Sequence, residues 1–246
     1  MDEKTSTFKK MIEECSNIVF FGGAGVSTES GVPDFRSKNG LYNQHDVRFD
    51  GYSPEYLLSH SCLVDEPKVF YEFYRQKMDT RDIQPNAAHY GLAKLEEAGK
   101  LRAIVTQNID GLHQRAGSKN VFEIHGSTAR NYCMKCGKSL PGDYIFKSSE
   151  QVPHCDCGGQ VRCDVTLYEE MLPDNDVDGA VKAISKADML IIGGTSLVVY
   201  PAATFVHYFR GKYLVLINLE HLNLYGMHVD LEINRPIGEI FKELDL

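Results

Sequence analysis

Five short apolar runs punctuate the chain, and each stops abruptly at glycine or at a polar residue. They cover residues 17–21, 103–106, 121–124, 189–192 and 213–218. Runs of this length, rich in Ile and Val, read as strands buried on both faces. Stretches with apolar residues at helical spacing lie between them, such as 87–98 (AAHYGLAKLEEA) and 177–187 (VDGAVKAISKA). Strands alternating with helices predict an α/β fold: a Rossmann-like parallel sheet with helices on both faces. Such sheets bind ligands outside the carboxyl ends of their strands. The unusual polar residues all fall there, at 23–36, 107–110, His125, 194–196 and Asn218. One cleft is therefore expected.

Two segments interrupt the alternation. Residues 37–82 carry aromatic-rich helical patterns such as Phe70-Tyr71-Glu72-Phe73-Tyr74, and residues 127–163 are rich in Cys, Gly and Lys. We read them as a helical insertion and a second module that together form a small domain. The large domain is then 1–36, 83–126 and 164–246. The formal charge of −8 argues against nucleic acid or an anionic membrane as a direct partner. The opening stretch MDEKTSTFKKMIEEC is charged throughout and has no apolar leader, so a cytoplasmic setting is expected. In that setting, seven cysteines point to metal binding rather than a disulfide framework.

Cys133 and Cys136 form a C-x-x-C knuckle followed by Gly137, while Cys155 and Cys157 form a C-x-C pair followed by Gly158 and Gly159. Four thiolates at this separation suit one tetrahedral zinc. The shorter second spacing leaves Cys163 or His154 as substitutes should Cys157 not reach. A zinc closed by four thiolates has no open position and serves structure. A nucleic-acid-binding ribbon is the competing reading. Residues 127–163 hold five Lys/Arg against three Asp/Glu, an excess that zinc with four thiolates cancels.

Gly22, Gly23 and Gly25 would let backbone approach a phosphate, with a helix expected to start near Ser27 and aim its free N–H groups at it. The same glycines could serve a plain turn. The G-x-G-x-x-G count is not met, since Thr28 holds the third position and the next glycine is Gly31. Pro33-Asp34-Phe35-Arg36 follows, which hydride transfer does not need. Gln107, Asn108 and Asp110 form a hydrogen-bonding set for an amide and sugar hydroxyls, or else a polar turn with Asp110 capping the next helix. His125 stands at a strand end beside Gly126, with a pKa suited to general base work. His89 and His113 lie in helical patterns and read as packing or surface residues. Thr195 and Ser196, after two glycines, and Asn218 offer contacts to phosphate or ribose.

Together these segments resemble the sirtuins, the NAD-dependent protein lysine deacylases, in their compact bacterial form with one large domain and a zinc module. GAGVSTESGVPDFR, TQNIDGLH, EIHG, the cysteine knuckles, GTSLVVYPAA and INLE occur in the family's order through nearly the whole chain. The resemblance implies NAD as co-substrate, one structural zinc and an acyl-lysine protein as partner. It implies that Gly23, Ala24, Thr28, Phe35 and Arg36 line the cofactor loop. Gln107, Ile109 and Asp110 would hold the nicotinamide end, with Asp110 taking the carboxamide and Asn108 near the ribose. Thr195, Ser196, Asn218 and Leu219 would hold the phosphates and the adenosine ribose, and Ile237 would lie against adenine. His125 and Asn108 are the implied catalytic residues.

In sirtuin chemistry the acyl oxygen attacks C1′ of the ribose as nicotinamide leaves, giving an alkylimidate. His125 would accept a proton from a ribose hydroxyl, and hydrolysis would yield free lysine and 2′-O-acyl-ADP-ribose. A mobile loop carrying Phe35 and Arg36, stiffened at Pro33, would exclude water and stop nicotinamide returning. The acyl-lysine peptide would add as a strand between the two domains, near Val165, Thr166 and Tyr168. That segment departs from the family pattern: Cys163 replaces a common proline, Thr166 an apolar branched residue and Glu169 a glycine. Members that prefer succinyl or malonyl groups carry Y-x-x-R in the helical insertion. Here the stretch is Tyr71-Glu72-Phe73-Tyr74, with Arg75 one place late. One residue turns a helical side chain by about 100°, so acetyl is expected over acidic acyl groups. Competing readings are a protein ADP-ribosyltransferase using the same cleft, a noncatalytic NAD sensor and a dehydrogenase.

Overall fold

The computed structural model describes residues 2–38 and 40–246. Met1 and Asn39, which fall in the first segment and in the helical insertion as read from the sequence, lie outside them. The strands are β1 (Ile18–Gly22), β2 (Leu101–Thr106), β3 (Val121–Glu123), β4 (Gly126–Cys133), β5 (Ser139–Pro141), β6 (Val161–Val165), β7 (Met189–Gly193), β8 (Tyr213–Ile217) and β9 (Leu231–Ile233). The α-helices are α1 (Glu3–Glu14), α2 (Pro54–Leu57), α3 (His60–Asp65), α4 (Pro67–Lys77), α5 (Ala87–Glu97), α6 (Leu112–Arg115), α7 (Tyr144–Lys147), α8 (Asp174–Lys186) and α9 (Ile237–Leu244).

Six strands pair in the order β3-β2-β1-β7-β8-β9, and every pairing is parallel. β1 and β7 are buried at every residue, as central strands covered on both faces must be. On one face Phe8 and Ile12 of α1, Leu92 and Leu95 of α5, and Phe241 of α9 share a core with Ile18, Phe20 and Ile191. Gly91 lets α5 and α9 close together, since a Cβ there would stand 2.4 Å from the Phe241 ring. On the other face Ala180 and Ile184 of α8 pack with Phe205 and Val206 of a 3-10 helix (Ala202–Tyr208).

The strand ends are level. Gly22 of β1 pairs with Thr106 of β2 and Gly193 of β7, and Gly193 pairs with Ile217 of β8. The residues that follow, Gly23, Gln107, Gly194 and Asn218, are thereby brought to one edge. The strand order reverses between β1 and β7, the switch point at which such sheets open a crevice.

A second, antiparallel sheet runs β5-β4-β6. Its core joins Val161 and Cys163 of β6 to Phe70, Tyr71, Phe73 and Tyr74 of α4. The Tyr71 hydroxyl donates to the Val161 carbonyl at 2.6 Å, so one face of α4 is fixed to that sheet.

Two local expectations need revision. No α-helix starts at Ser27; two single 3-10 turns, Ala24–Val26 and Thr28–Ser30, occupy this stretch, and Gly31 at φ 91° ends the second. β2 starts at Leu101, ahead of the apolar run, because Leu101 pairs with Ile18 despite the exposed Arg102 between. His89 and His113 are both fully buried, their rings 4.8 Å apart, and His89 completes the capping box of α5 with Asn86.

Candidate functional site

The carboxyl ends of β1, β2, β7 and β8 open into a cavity of about 770 Å³. The residues nominated from the sequence for dinucleotide or acyl-lysine line it, except Gly22, which ends β1, and Asp110. Asp110 stands a layer behind the wall. Its carboxylate accepts from the Ser27 hydroxyl at 2.6 Å and from the Leu112 amide at 2.9 Å, the second bond serving the start of α6. Burial pushes the Asp110 pKa up, against the lowering effect of those two bonds.

Glycine makes the floor possible. The Gly25 amide donates to the Gly194 carbonyl at 2.8 Å, and a Cβ on Gly25 would stand 2.8 Å from the Gly194 Cα. Gly194 itself has φ 57°. The loops after β1 and β7 thus touch backbone to backbone, leaving main-chain groups rather than side chains beneath a ligand. Side chains then tie the loops together. Asn108 Nδ2 donates to Ser27 Oγ at 3.0 Å, and Gln107 Nε2 to Thr195 Oγ1 at 3.1 Å.

His125 follows β3 and sits 3.0 Å through Nδ1 from the Gln107 carbonyl oxygen. A carbonyl only accepts, so this bond places the ring proton on Nδ1 and leaves Nε2 as the basic nitrogen. Burial lowers the His125 pKa, with the Gln107 bond acting the other way, so the ring is a neutral base at neutral pH.

The facing wall, where the resemblance places the acyl-lysine, is the strand-like continuation of β6. The Thr166 amide donates to the His125 carbonyl at 2.9 Å, and the Tyr168 amide to the Leu58 carbonyl at 3.0 Å. Beneath it the buried Arg162 grips Glu170 through two bonds of 2.6 and 2.9 Å, and Glu170 also accepts from the Leu167 amide. Burial opposes ionisation of Glu170, but these bonds outweigh it and hold the pKa at about 2. At the junction with the cofactor loop, Arg36 donates to the Tyr168 hydroxyl at 3.1 Å, and the Tyr42 and Tyr168 hydroxyls lie 2.7 Å apart. Sequence reading missed Ser27, Tyr42 and the Arg162–Glu170 pair. Only Ser27 carried a signal, being a small hydroxyl residue inside the glycine loop.

The four thiols at 133, 136, 155 and 157 gather with every sulfur within 4.8 Å of the others. Two of the separations are 3.4 and 3.9 Å, close to the edge of about 3.8 Å expected for sulfurs tetrahedral about zinc. A Cβ on Gly159 would stand 2.7 Å from the Cys133 sulfur, so glycine is required there. The donor set fits one closed zinc. Cys157 is the fourth thiol, whereas Cys163 is buried against α4 in the core and His154 bonds Glu150.

The Sir2 family model matches residues 23–201, well over half of the chain. The chain belongs to the Sir2 family. It is 57% identical over 241 residues to an NAD-dependent protein deacetylase of Clostridium acetobutylicum, covering 98% of this chain and 97% of the relative. It is likewise 57% identical to one from Clostridium perfringens, covering 98% of each. A solved Sir2 complex with a p53 peptide and NAD+ superposes with a TM-score of 0.83 at 36% identity, covering 98% of this chain and 97% of that one. Another, Sir2 with a deacetylated p53 peptide and 3′-O-acetyl ADP-ribose, gives 0.87 at 35% identity with the same coverage. In this Sir2 chain Arg75 donates to the carbonyls of Ile145, Gln151 and Glu150, so its guanidinium is turned to the zinc module.

Proposed function

We infer that this chain is an NAD-dependent protein lysine deacetylase. The observation that carries the reading is that one cavity joins the glycine loops, the Gln107–Asn108 pair, His125 and the segment from Val165 to Tyr168. Bound NAD supplies an electrophilic ribose carbon and a leaving nicotinamide. The residues of the chain divide the remaining work. Gly23, Ala24 and Thr28, with Thr195, Ser196, Asn218 and Leu219, hold the phosphates and the adenosine ribose, and Ile237 covers adenine. Gln107 and Ile109 hold the nicotinamide end. Asp110 would take the carboxamide in exchange for its Ser27 bond. His125 takes a proton at Nε2 from a ribose hydroxyl, and Asn108 orients that ribose. Phe35 and Arg36 shut out water.

Val165, Thr166 and Tyr168 flank the acyl-lysine. The engagement of Arg75 with three carbonyls supports a preference for acetyl over acidic acyl groups. We also propose the division into 1–36, 83–126 and 164–246 against 37–82 and 127–163, supported by the core that α4 shares with β6. A cytoplasmic setting is supported by four thiols gathered for a metal rather than paired. Among the described residues no helix is long and apolar enough to cross a membrane.

Mass spectrometry of products from NAD and a panel of acyl-lysine peptides tests the reading. Free lysine, nicotinamide and acyl-ADP-ribose in equal amounts are expected, with acetyl peptide turned over faster than succinyl peptide. Label from NAD left covalently on protein would instead indicate ADP-ribosyl transfer.

A further inference from the structure

Among the described residues three non-glycine positions have left-handed backbone, and one of them, Glu169, lines the cavity at φ 75°. A side chain in this region is strained and persists only where its surroundings hold it. Glu169 is held by its own carboxylate. Oε2 accepts from the Ser61 amide at 2.9 Å and from the Ser61 hydroxyl at 2.7 Å. These bonds keep its carboxyl below the usual range, so the group is charged near neutral pH. Among the described residues Oε1 has no bonded partner.

Its neighbour differs. Glu170 is matched by Arg162, which lies under the wall and cancels its charge. Glu169 makes no ion pair with any cation among the described residues. It is exposed and follows directly on Tyr168, at the wall proposed to receive the acyl-lysine. Of the groups near it only His60 acts on it as a titratable cation, and a carboxylate without an ion pair, fixed in place before ligand arrives, biases this end of the site toward cationic side chains with little further ordering cost.

We propose that Glu169 is a specificity-determining residue that favours acyl-lysine sites flanked by arginine or lysine. The proposal rests on the deacetylase reading for the identity of the substrate. Its test is a binding measurement that needs no turnover. Three acetyl-lysine peptides, alike except for arginine, alanine or glutamate on both sides of the modified lysine, are titrated into the protein without NAD. At low ionic strength the arginine peptide is expected to bind about fivefold more tightly than the glutamate peptide, and the ratio to shrink as salt is added. Glu169→Gln keeps an acceptor for Ser61 and removes the charge; the ratio should fall below about twofold with the melting temperature held. Ser61→Ala keeps the charge and loosens the strap; a preference for arginine should survive.

A ratio near one in the unaltered protein overturns the proposal. So does a ratio that persists in Glu169→Gln, since the selectivity would then come from elsewhere. If the ratio holds but no peptide is deacetylated with NAD present, the deacetylase reading falls and the assignment of Glu169 stands.

Discussion

The two walls of the cavity are built from different materials. On the cofactor side, backbone meets backbone: Gly25 bonds Gly194, and level strand ends deliver four loops to one edge. On the wall proposed for the substrate, paired side chains hold an irregular segment: Arg162 to Glu170 from eight residues away, and Ser61 to Glu169 and Tyr42 to Tyr168 from more than a hundred. A wall of main chain tolerates few changes, because any added atom collides. A wall of paired side chains can be retuned one residue at a time, but it depends on each partner being present. The proposed substrate side leans on the zinc module through β4 and β6, whereas the cofactor side meets it chiefly at Phe35 and Ile109, the latter taking two bonds of 2.9 Å from Thr128 of β4.

Zinc removal separates the walls most strongly. Stripping the metal with a chelator, or replacing Cys155 by serine, should unfold the β5-β4-β6 sheet and abolish acetyl-peptide binding, while ADP-ribose binding by calorimetry stays within several-fold. Equal loss of both ligands would show the walls to be one cooperative unit. His125→Ala comes next. A general base contributes about 10²–10⁴-fold, so kcat should fall by about 10³-fold with NAD and peptide still bound. Activity close to that of the unaltered protein would remove His125 from the chemistry.

The same contrast explains what the chain disclosed before its structure was known. Short continuous apolar runs, ended by glycine or a polar residue, located β1, β2, β7 and β8 within a few residues, because central strands are specified by continuous burial. The residues just after those strands were legible as a site for the same reason: strand ends need no polar side chains, so Gln107, Asn108 and Asn218 stood out. Ser27 was missed as a hub because its partners, Asp110 and Asn108, are 83 and 81 positions away. Arg162 reads as an ordinary strand residue until Glu170 is placed beneath it. Its meaning lies in a fold-dependent pairing that local pattern does not encode. The expected helix at Ser27 failed because Gly31 and the Ser27 hydroxyl bond favour two tight turns over a continuous helix.

Smaller changes sharpen the comparison from each side. Arg162→Ala would leave Glu170 charged and half-buried without its cation. Breaking one partner of such a pair should lower stability by about 3 kcal/mol in urea titration, and Arg162→Lys should recover only part, lacking the two-pronged geometry. On the other wall, Gly25→Ala must push the Gly194 backbone aside. ADP-ribose should bind about tenfold more weakly, with acetyl-peptide affinity changed less than twofold. Peptide affinity falling in step with ADP-ribose would refute the separation of materials.

The smallest effect is expected from pH, and it distinguishes the walls by window. His125 is depressed from 6.5 by burial, so its neutral, proton-accepting form persists below that pH. The acid limb of kcat should therefore have its midpoint under 6.5. Protonation favours the unfolded chain here, so this residue's stability contribution is also present above 6.5 and fades as pH falls through the lowered value. Glu170 is depressed from 4.5 to about 2, which makes its contribution complete above 4.5 and lost only between there and 2. The two walls then answer to groups that start to titrate at different pH, 6.5 on one side and 4.5 on the other. As pH falls from 6.5 through the lowered His125 value kcat should decline, while acetyl-peptide affinity stays flat down to 4.5, because Arg162 still holds Glu170 and Glu170 still holds the Leu167 amide. Peptide affinity that declines already above pH 4.5 would mean that this wall answers to a different group, and the Arg162–Glu170 pair would lose its place as the strap beneath it.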